Sequence, residues 1–267
     1  MSAMLVPFLF ASFLWWASTG AILRLIRREP KTFKATAIVV SILAVAAMVA
    51  LVALRDQTGV WAAYAGFGVG LMLWAWHETM FLIGFISGSR RTPCPPNLST
   101  KSRFIASAQT IIHHEMVIAF HAAVIFLLSM GAENQFAVLT FLLLWVMRLS
   151  AKFVVFFGAP NISDVFLPTH LQYLSSYFNR NRNSLFFGFA LVLAMGWTAI
   201  AAFNALHNPA YSFEFVGFTL LVSLSGLAVI EHLALVLPLP DAALWSWMIK
   251  QPQKTPEATI GAEWRRV

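Results

Sequence analysis

The sequence predicts an all-α fold, a polytopic membrane helix bundle with seven transmembrane helices. Hydrophobic residues make up 59% of the 267 residues and charged residues only 11%, which is too little charge to cover the surface of a soluble domain. Seven apolar stretches reach the roughly 20 residues that a helix needs to cross about 30 Å of hydrocarbon. They are residues 4–23, 35–54, 60–86, 105–130, 135–158, 185–206 and 213–237.

The individual stretches differ in character. The first has no basic residue before it and is followed directly by Arg24, Arg27 and Arg28, which is typical of a signal anchor with its amino end outside and not of a cleavable signal peptide. The second carries no charge. The third and fourth are long enough to tilt or to project past the headgroups.

The basic residues predict the orientation of the helices. If the loops alternate across the membrane, 17 of the 18 Lys and Arg residues fall on one side, and only Arg55 lies opposite. Basic residues favour the cytoplasmic side, so the amino terminus is predicted outside and the carboxyl terminus in the cytoplasm. Residues 1–240 then form one transmembrane domain with cytoplasmic loops at about 24–34, 87–103 and 159–184, and residues 241–267 form a cytoplasmic tail. Because the bases follow this pattern, the net charge of +7 does not indicate a nucleic-acid partner, and membrane lipid is the expected surrounding.

Two of the cytoplasmic loops are longer than turns. The first contains Pro93-Cys94-Pro95-Pro96, a rigid, non-helical segment whose single cysteine allows no internal disulfide. In the second, Leu171, Leu174, Tyr177 and Phe178 recur at helical spacing beside polar residues. This spacing predicts a short amphipathic helix at the membrane interface.

Ionisable residues inside three of the spans are the candidate functional residues. An ionisable side chain in hydrocarbon costs at least about 2.5 kcal/mol and therefore needs a partner or a purpose. At about 1.5 Å per residue, the pairs in spans three and four lie about 15 Å from the cytoplasmic end, and the pair in span seven about 10 Å. The similar depths predict one cluster, made of His77 and Glu78, His114 and Glu115 with His121 further along, and Glu231 and His232.

Three interpretations of this cluster stay open. Imidazole and carboxylate groups could ligate iron, another divalent metal, or the central magnesium of a tetrapyrrole. His114 and His121 are two turns, about 10 Å, apart and cannot share one ion, and neither the di-iron nor the His-box signature is present. The second interpretation is a buried Glu–His hydrogen-bond network that fixes helix packing, with His113 and His121 as packing residues. The third is a path for a proton or solute.

Polar residues near the cytoplasmic face form a second candidate group. Arg148 and Lys152 lie one turn apart in span five, and they are interpreted either as snorkelling anchors or as a clamp for a carboxylate or phosphate. Asp164 is predicted to cap the following helix. As a functional alternative, a docking surface or anion clamp would comprise Arg90, Arg91, Arg148, Lys152, Asn161, Asp164 and His170.

Several motifs resemble the photosynthetic complex assembly protein 2 family, the PuhE-type proteins of purple phototrophic bacteria. The resembling motifs are Trp76-His77-Glu78 with Gly84, residues 88–95 (Gly-Ser-Arg-Arg-Thr-Pro-Cys-Pro), His113-His114-Glu115, residues 144–152, Pro160-Asn161 and residues 166–178. They cover roughly residues 75–180. The resemblance implies a multi-pass protein of the bacterial inner or intracytoplasmic membrane, but no catalytic mechanism.

Two functions are therefore expected as alternatives. The preferred one, implied by the resemblance, is a factor without catalytic activity that assembles the reaction centre and light-harvesting complex or handles bacteriochlorophyll. Its partners would be subunits of those complexes and pigment-synthesis enzymes, and its Glu/His cluster would hold bacteriochlorophyll or a precursor. The alternative is a membrane metalloenzyme in which the same cluster binds iron for oxidative chemistry on a tetrapyrrole, quinone or lipid.

Overall fold

The described part of the chain forms seven α-helices. The structure, a computed structural model, describes residues 2–164, 166–180 and 184–238; the predicted tail at 241–267 and the last two residues of the predicted domain lie outside this part. The described residues also form two 3₁₀-helices and no strand. The α-helices are α1 Ser2–Ile26, α2 Phe33–Leu54, α3 Val60–Leu82, α4 Thr100–Ser129, α5 Phe136–Phe157, α6 Leu185–His207 and α7 Phe213–Ala234, and the 3₁₀-helices are Pro30–Thr32 and Thr169–Tyr177.

Within the described ranges, six helices are long and apolar enough to cross a bilayer. They are α1, α2 with the short 3₁₀-helix before it, α4, α5, α6 and α7. The protein is therefore a multi-pass membrane protein. The third predicted span, α3, has 23 residues and thus the length of a span, but it is not among these six.

Helix α3 lies at the centre of the bundle. Thirteen of its 23 residues are buried, against five of 25 in α1, and it contacts α1, α2, α5 and α7. Small residues let these neighbours come close, since a side chain at Gly70 would collide with the backbone of Ala137 and with Thr140 in α5. The central position explains why polar residues of α3 can be buried against other helices instead of facing lipid.

Helix α3 ends four residues before the predicted boundary at 86. Gly84 adopts a left-handed backbone conformation with φ of 81°, which glycine tolerates without steric cost. The amide of Gly84 donates to the carbonyl of Phe81 at 2.9 Å, and the amide of Phe85 donates to that of Met80 at 3.0 Å. These two bonds form a Schellman motif, so the chain leaves the helix there although the sequence remains apolar.

The short amphipathic helix is present as a 3₁₀-helix at Thr169–Tyr177. Its buried residues are Leu171, Leu174 and Tyr177. A 3₁₀-helix has three residues per turn, so residues spaced by three share one face. The predicted stripe is thus confirmed up to Tyr177, whereas Phe178 follows the helix as its C-cap.

The two long loops meet at one end of the bundle and form what we call the loop cap, residues 83–99, 158–164 and 166–180. The amide of Cys94 in the first loop donates to Ser176 Oγ in the second at 2.8 Å. The second loop is also tied to the segment after α7, because the amide of Asn161 donates to the carbonyl of Leu235 at 3.0 Å. The loop cap therefore covers the ends of α3, α5 and α7.

Candidate intramembrane site

The carboxylate of Glu115 in α4 is paired with two side chains of α5. Lys152 Nζ lies 2.5 Å from one carboxylate oxygen, and Trp145 Nε1–H donates to the other at 3.2 Å. The side chain of Lys152 is 24% exposed and that of Glu115 16%. Lys152 is therefore tied to a neighbouring helix, and the prediction of a snorkelling lipid anchor is wrong at this position.

Glu78 in α3 forms a looser ion pair with α5. Arg148 Nε lies 3.4 Å from one carboxylate oxygen of Glu78, and Arg148 Nη2 donates to the other at 3.5 Å. Glu78 is buried, whereas the Arg148 side chain is half exposed. Both cations of α5 thus face carboxylates of the protein itself.

The histidines of α3 and α4 meet beside these ion pairs. His77 Nε2 lies 3.0 Å from His121 Nδ1, and the His77 and His114 ring centroids are 6.3 Å apart. His77 and His114 are 2% and 1% exposed. Neither ring nitrogen of His114 has a hydrogen-bond partner within the described residues; its ring packs against Phe81 with a centroid distance of 4.6 Å. His113 points away from this group and is exposed.

The pair in α7 is divided between two environments. His232 is 1% exposed, and its Nδ1 lies 2.8 Å from the Ala228 carbonyl within its own helix. Its Nε2 lies 2.8 Å from Ser150 Oγ, which ties α7 to α5. Glu231 is exposed and reaches Arg148 only through longer-range electrostatic attraction.

The predicted single cluster is therefore a set of separate contacts that all involve α3 or α5. Across the described ranges, no group of three or more His, Cys, Asp or Glu side chains is arranged to hold a metal ion. Glu78 and Glu115 already face cations, and His232 is bonded at both nitrogens. The predicted donors do not fit an iron site.

Five of the seven predicted docking residues, all except Arg148 and Lys152 of α5, lie in the loop cap, and three of these five tie its parts together. Arg90 Nε–H donates to the Tyr177 hydroxyl at 2.6 Å, and that hydroxyl donates to the carbonyl of Thr92 at 3.1 Å. Arg91 Nη2 donates to the Gly84 carbonyl at 3.4 Å. His170 Nε2 lies 3.0 Å from the Leu82 carbonyl, at the end of α3.

Asp164 and Asn161 also have partners inside the protein. Asp164 forms an ion pair with Arg180 at 2.7 Å, and Asn161 Nδ2–H donates to the Val236 carbonyl at 2.5 Å. The N-cap of the following 3₁₀-helix is Pro168, without a side-chain hydrogen bond. The prediction that Asp164 caps this helix is therefore wrong, because the charge of Arg180 is the stronger partner.

An apolar cavity that the sequence did not indicate lies between α2, α3 and α4. Its volume is about 690 Å³, and most of its lining residues are aliphatic side chains of α2 and α4. Its polar lining residues are Ser41, Trp76, His77 and His121. Trp76 Nε1–H donates to Ser41 Oγ at 3.0 Å, so these four side chains form one polar group in the wall of the cavity. The one hint in the sequence was Ser41, a polar residue in the middle of an uncharged span.

The sequence was compared with known proteins. The profile of the DUF3623 family, described as "Protein of unknown function (DUF3623)", matches residues 1–256. The chain belongs to the DUF3623 family. It is also 36% identical over 244 residues to the "Uncharacterized 30.4 kDa protein in puhA 5'region" of Rhodobacter capsulatus, with 89% of this chain and 88% of that protein covered. No solved structure matches the chain.

In this DUF3623 member, the cations that pair with Glu78 and Glu115 could have been predicted from the depth of each residue along its helix. Arg148 lies ten residues before the end of α5 at Gly158, about 15 Å along a helix, which is the depth predicted for Glu78 and Glu115. Lys152 is one turn closer to that end. Opposite charges at one depth on neighbouring helices are expected to pair, because each loses its burial cost only in that way.

Proposed function

We propose that this DUF3623 member is a multi-pass inner-membrane factor that acts in assembly of the photosynthetic reaction centre and light-harvesting complex or in handling bacteriochlorophyll. The observation that carries the proposal is the relative in the puhA 5' region of Rhodobacter capsulatus, which is similar over almost the whole length of both chains. That location supports a role related to photosynthesis. The resemblance of residues 75–180 to the PuhE-type proteins supports the same role.

The proposed topology has seven spans, with the amino terminus outside and the carboxyl terminus in the cytoplasm. Helix α3 would be the seventh span, which its length and its buried position between α2, α5 and α7 support. The distribution of Lys and Arg supports the orientation. In this topology the loop cap lies on the cytoplasmic face.

The loop cap is the proposed docking surface for subunits of the complex or for pigment-synthesis enzymes. Its two loops are joined by hydrogen bonds from Arg90 and Cys94 to Tyr177 and Ser176, which give it a defined shape. A surface with a defined shape loses less conformational entropy when a partner binds. Arg91 is exposed at this surface and, within the described residues, makes one long hydrogen bond, so it is the predicted docking residue with most freedom to contact a partner.

The intramembrane residues support a role without catalysis. The carboxylates of Glu78 and Glu115 face cations of α5, and His232 is bonded to Ser150. These contacts connect α3, α4 and α7 to α5 and hold the bundle together. A metalloenzyme would need the same side chains as ligands, so the donor set favours the assembly factor over that alternative.

The proposal is tested in a Rhodobacter capsulatus strain that lacks the 30.4 kDa relative. Near-infrared absorbance of isolated membranes measures assembled complex, and an immunoblot measures the introduced protein. We expect the deletion to lower complex levels, this chain to restore them, and Arg91→Glu to restore them several-fold less at equal protein level. Lys101→Glu, a charge reversal at another exposed basic residue on the same side, is the matched control and should restore fully. Normal complex levels in the deletion strain would contradict the proposal.

A further inference from the structure

The cavity between α2, α3 and α4 combines an apolar channel with one polar patch. The α2 side of its lining is a single helix face that continues from Ser41 to Ala53. Ser41 and Val52 are eleven residues apart, which corresponds to about 16 Å along a helix. Val45 and Val49 on this face are more than 60% exposed, so the channel is open to the surroundings of the bundle, which for this protein is lipid.

The polar patch carries hydrogen-bonding groups that the protein leaves unused. Two neutral imidazoles joined by one hydrogen bond use one nitrogen each, and His77 and His121 are joined in this way. The other nitrogen of His77, Nδ1, is buried without a partner. Among the described residues, the structure also gives His121 Nε2 no hydrogen-bond partner. Buried polar groups normally have partners, so the unpaired Nδ1 of the buried His77 favours a polar ligand beside this patch.

The two imidazoles can serve a ligand as donor or as acceptor. When the shared hydrogen is on His77 Nε2, the free Nε2 of His121 carries a hydrogen and donates to a carbonyl. When the shared hydrogen is on His121 Nδ1, the free Nε2 has a lone pair and accepts from a hydroxyl. The patch contains no Lys, Arg, Asp or Glu, so it suits an uncharged head group and not a phosphate. The indole of Trp76, 5.2 Å from the His121 ring by centroid, supplies a flat apolar wall beside it.

We propose that this cavity binds an isoprenoid quinone or its quinol. The ring oxygen would contact His121 Nε2 beside Trp76, and the apolar chain would lie along α2 past Val45, Val49 and Val52. A channel of about 690 Å³ that is about three helical turns long is narrow and matches a chain-shaped molecule better than a broad macrocycle. Both oxidation states fit, because a quinone accepts a hydrogen bond and a quinol donates one. This inference goes beyond the proposed role in complex assembly and does not depend on it.

Binding is tested with the full-length protein in nanodiscs of saturated phosphatidylcholine, titrated with decylubiquinone in a calorimeter. Val49→Trp fills the channel, and Val192→Trp on α6 is the matched control, because both valines are about two-thirds exposed (65% and 68%) but only Val49 lines the cavity. We expect saturable binding by the wild type and by Val192→Trp, and none by Val49→Trp beyond partitioning into the disc. Circular dichroism and gel filtration verify folding; Val52→Trp replaces Val49→Trp if the latter does not fold.

The position of the head group is tested separately. His121→Leu removes one hydrogen bond and is expected to weaken binding roughly three- to tenfold. The same quinone without its chain should compete poorly with decylubiquinone. Equal binding by Val49→Trp and wild type would overturn the proposal. Unchanged affinity in His121→Leu, or equal competition by the chainless quinone, would also overturn it. So would a tetrapyrrole or phospholipid that is extracted from the purified wild type but not from Val49→Trp.

Discussion

The contact between Lys152 and Glu115 gives the sharpest prediction for stability. Lys152→Met keeps the length of the side chain but removes the charge, and it leaves Glu115 with only the Trp145 hydrogen bond. Removing one partner of a buried ion pair costs about 3–5 kcal/mol, and an unpaired charge inside a membrane about 2.5–3.5 kcal/mol. The pair here retains 16–24% exposure, so we expect a loss of about 2–3 kcal/mol in the free energy of unfolding.

The neighbouring pair provides a comparison on the same helix. Arg148 Nε lies 3.4 Å from a carboxylate oxygen of Glu78, and the Arg148 side chain is 50% exposed. The attraction is weaker because the pair is looser than that of Lys152 and Glu115, but Arg148→Met leaves the charge of the buried Glu78 unpaired inside the membrane. Arg148→Met should therefore also destabilise the protein, by about 2–3 kcal/mol, comparably with Lys152→Met.

The assay is SDS-induced unfolding of the purified protein in mixed micelles, followed by far-ultraviolet circular dichroism. Glu115→Gln in the Lys152→Met background removes the unpaired charge and should recover most of the loss, giving a coupling energy of about 2 kcal/mol between the two sites. Lys101→Met, at an exposed lysine, is the control and should change stability by less than about 0.5 kcal/mol. The reasoning is refuted if Lys152→Met is as stable as Lys101→Met, or if Glu115→Gln brings no recovery.

Three further predictions concern the loop cap. Gly88→Ala places a Cβ against the α4 backbone and should lower the free energy of unfolding by about 1–3 kcal/mol, measured by thermal denaturation. Gly68→Ala, which has open space around it, is the control and should not lower the melting temperature comparably. Tyr177→Phe removes the hydroxyl that Arg90 contacts and should cost about 1–2 kcal/mol, seen as faster tryptic cleavage in the loops; an unchanged cleavage rate would contradict this role. Burial raises the pKa of Tyr173, so the unfolded chain ionises first and stability should fall as pH rises above about 10. In melting curves at increasing pH, Tyr173→Phe should show a smaller fall than the wild type.

The helices could be predicted from the sequence because the bilayer fixes their length. All seven predicted stretches correspond to α-helices. One error concerned the carboxyl end of α3, which was extended to residue 86 because residues 83–86 remain apolar. Its actual end depends on the left-handed conformation of Gly84, and a single glycine within an apolar run does not signal that conformation by itself.

The contacts within the bundle could be predicted only in part. Depth along each helix follows from residue numbers, and it brought the ionisable residues of α3 and α4 to one level. The direction in which each side chain points depends on how the helices pack. His77 and Glu78 are both buried, yet one contacts α4 and the other α5. The cavity depends on the separation of α2 from α4, which no local pattern of residues specifies.

The pairing of intramembrane carboxylates with cations, in place of a metal centre, is the central claim about the site. Elemental analysis of the purified protein tests it most directly, with wild type compared with the Glu78→Ala, His114→Ala double variant. The account predicts that iron, manganese and zinc stay at trace levels in both proteins. Near-stoichiometric metal in the wild type that disappears in the double variant would contradict the account and would favour a membrane metalloenzyme.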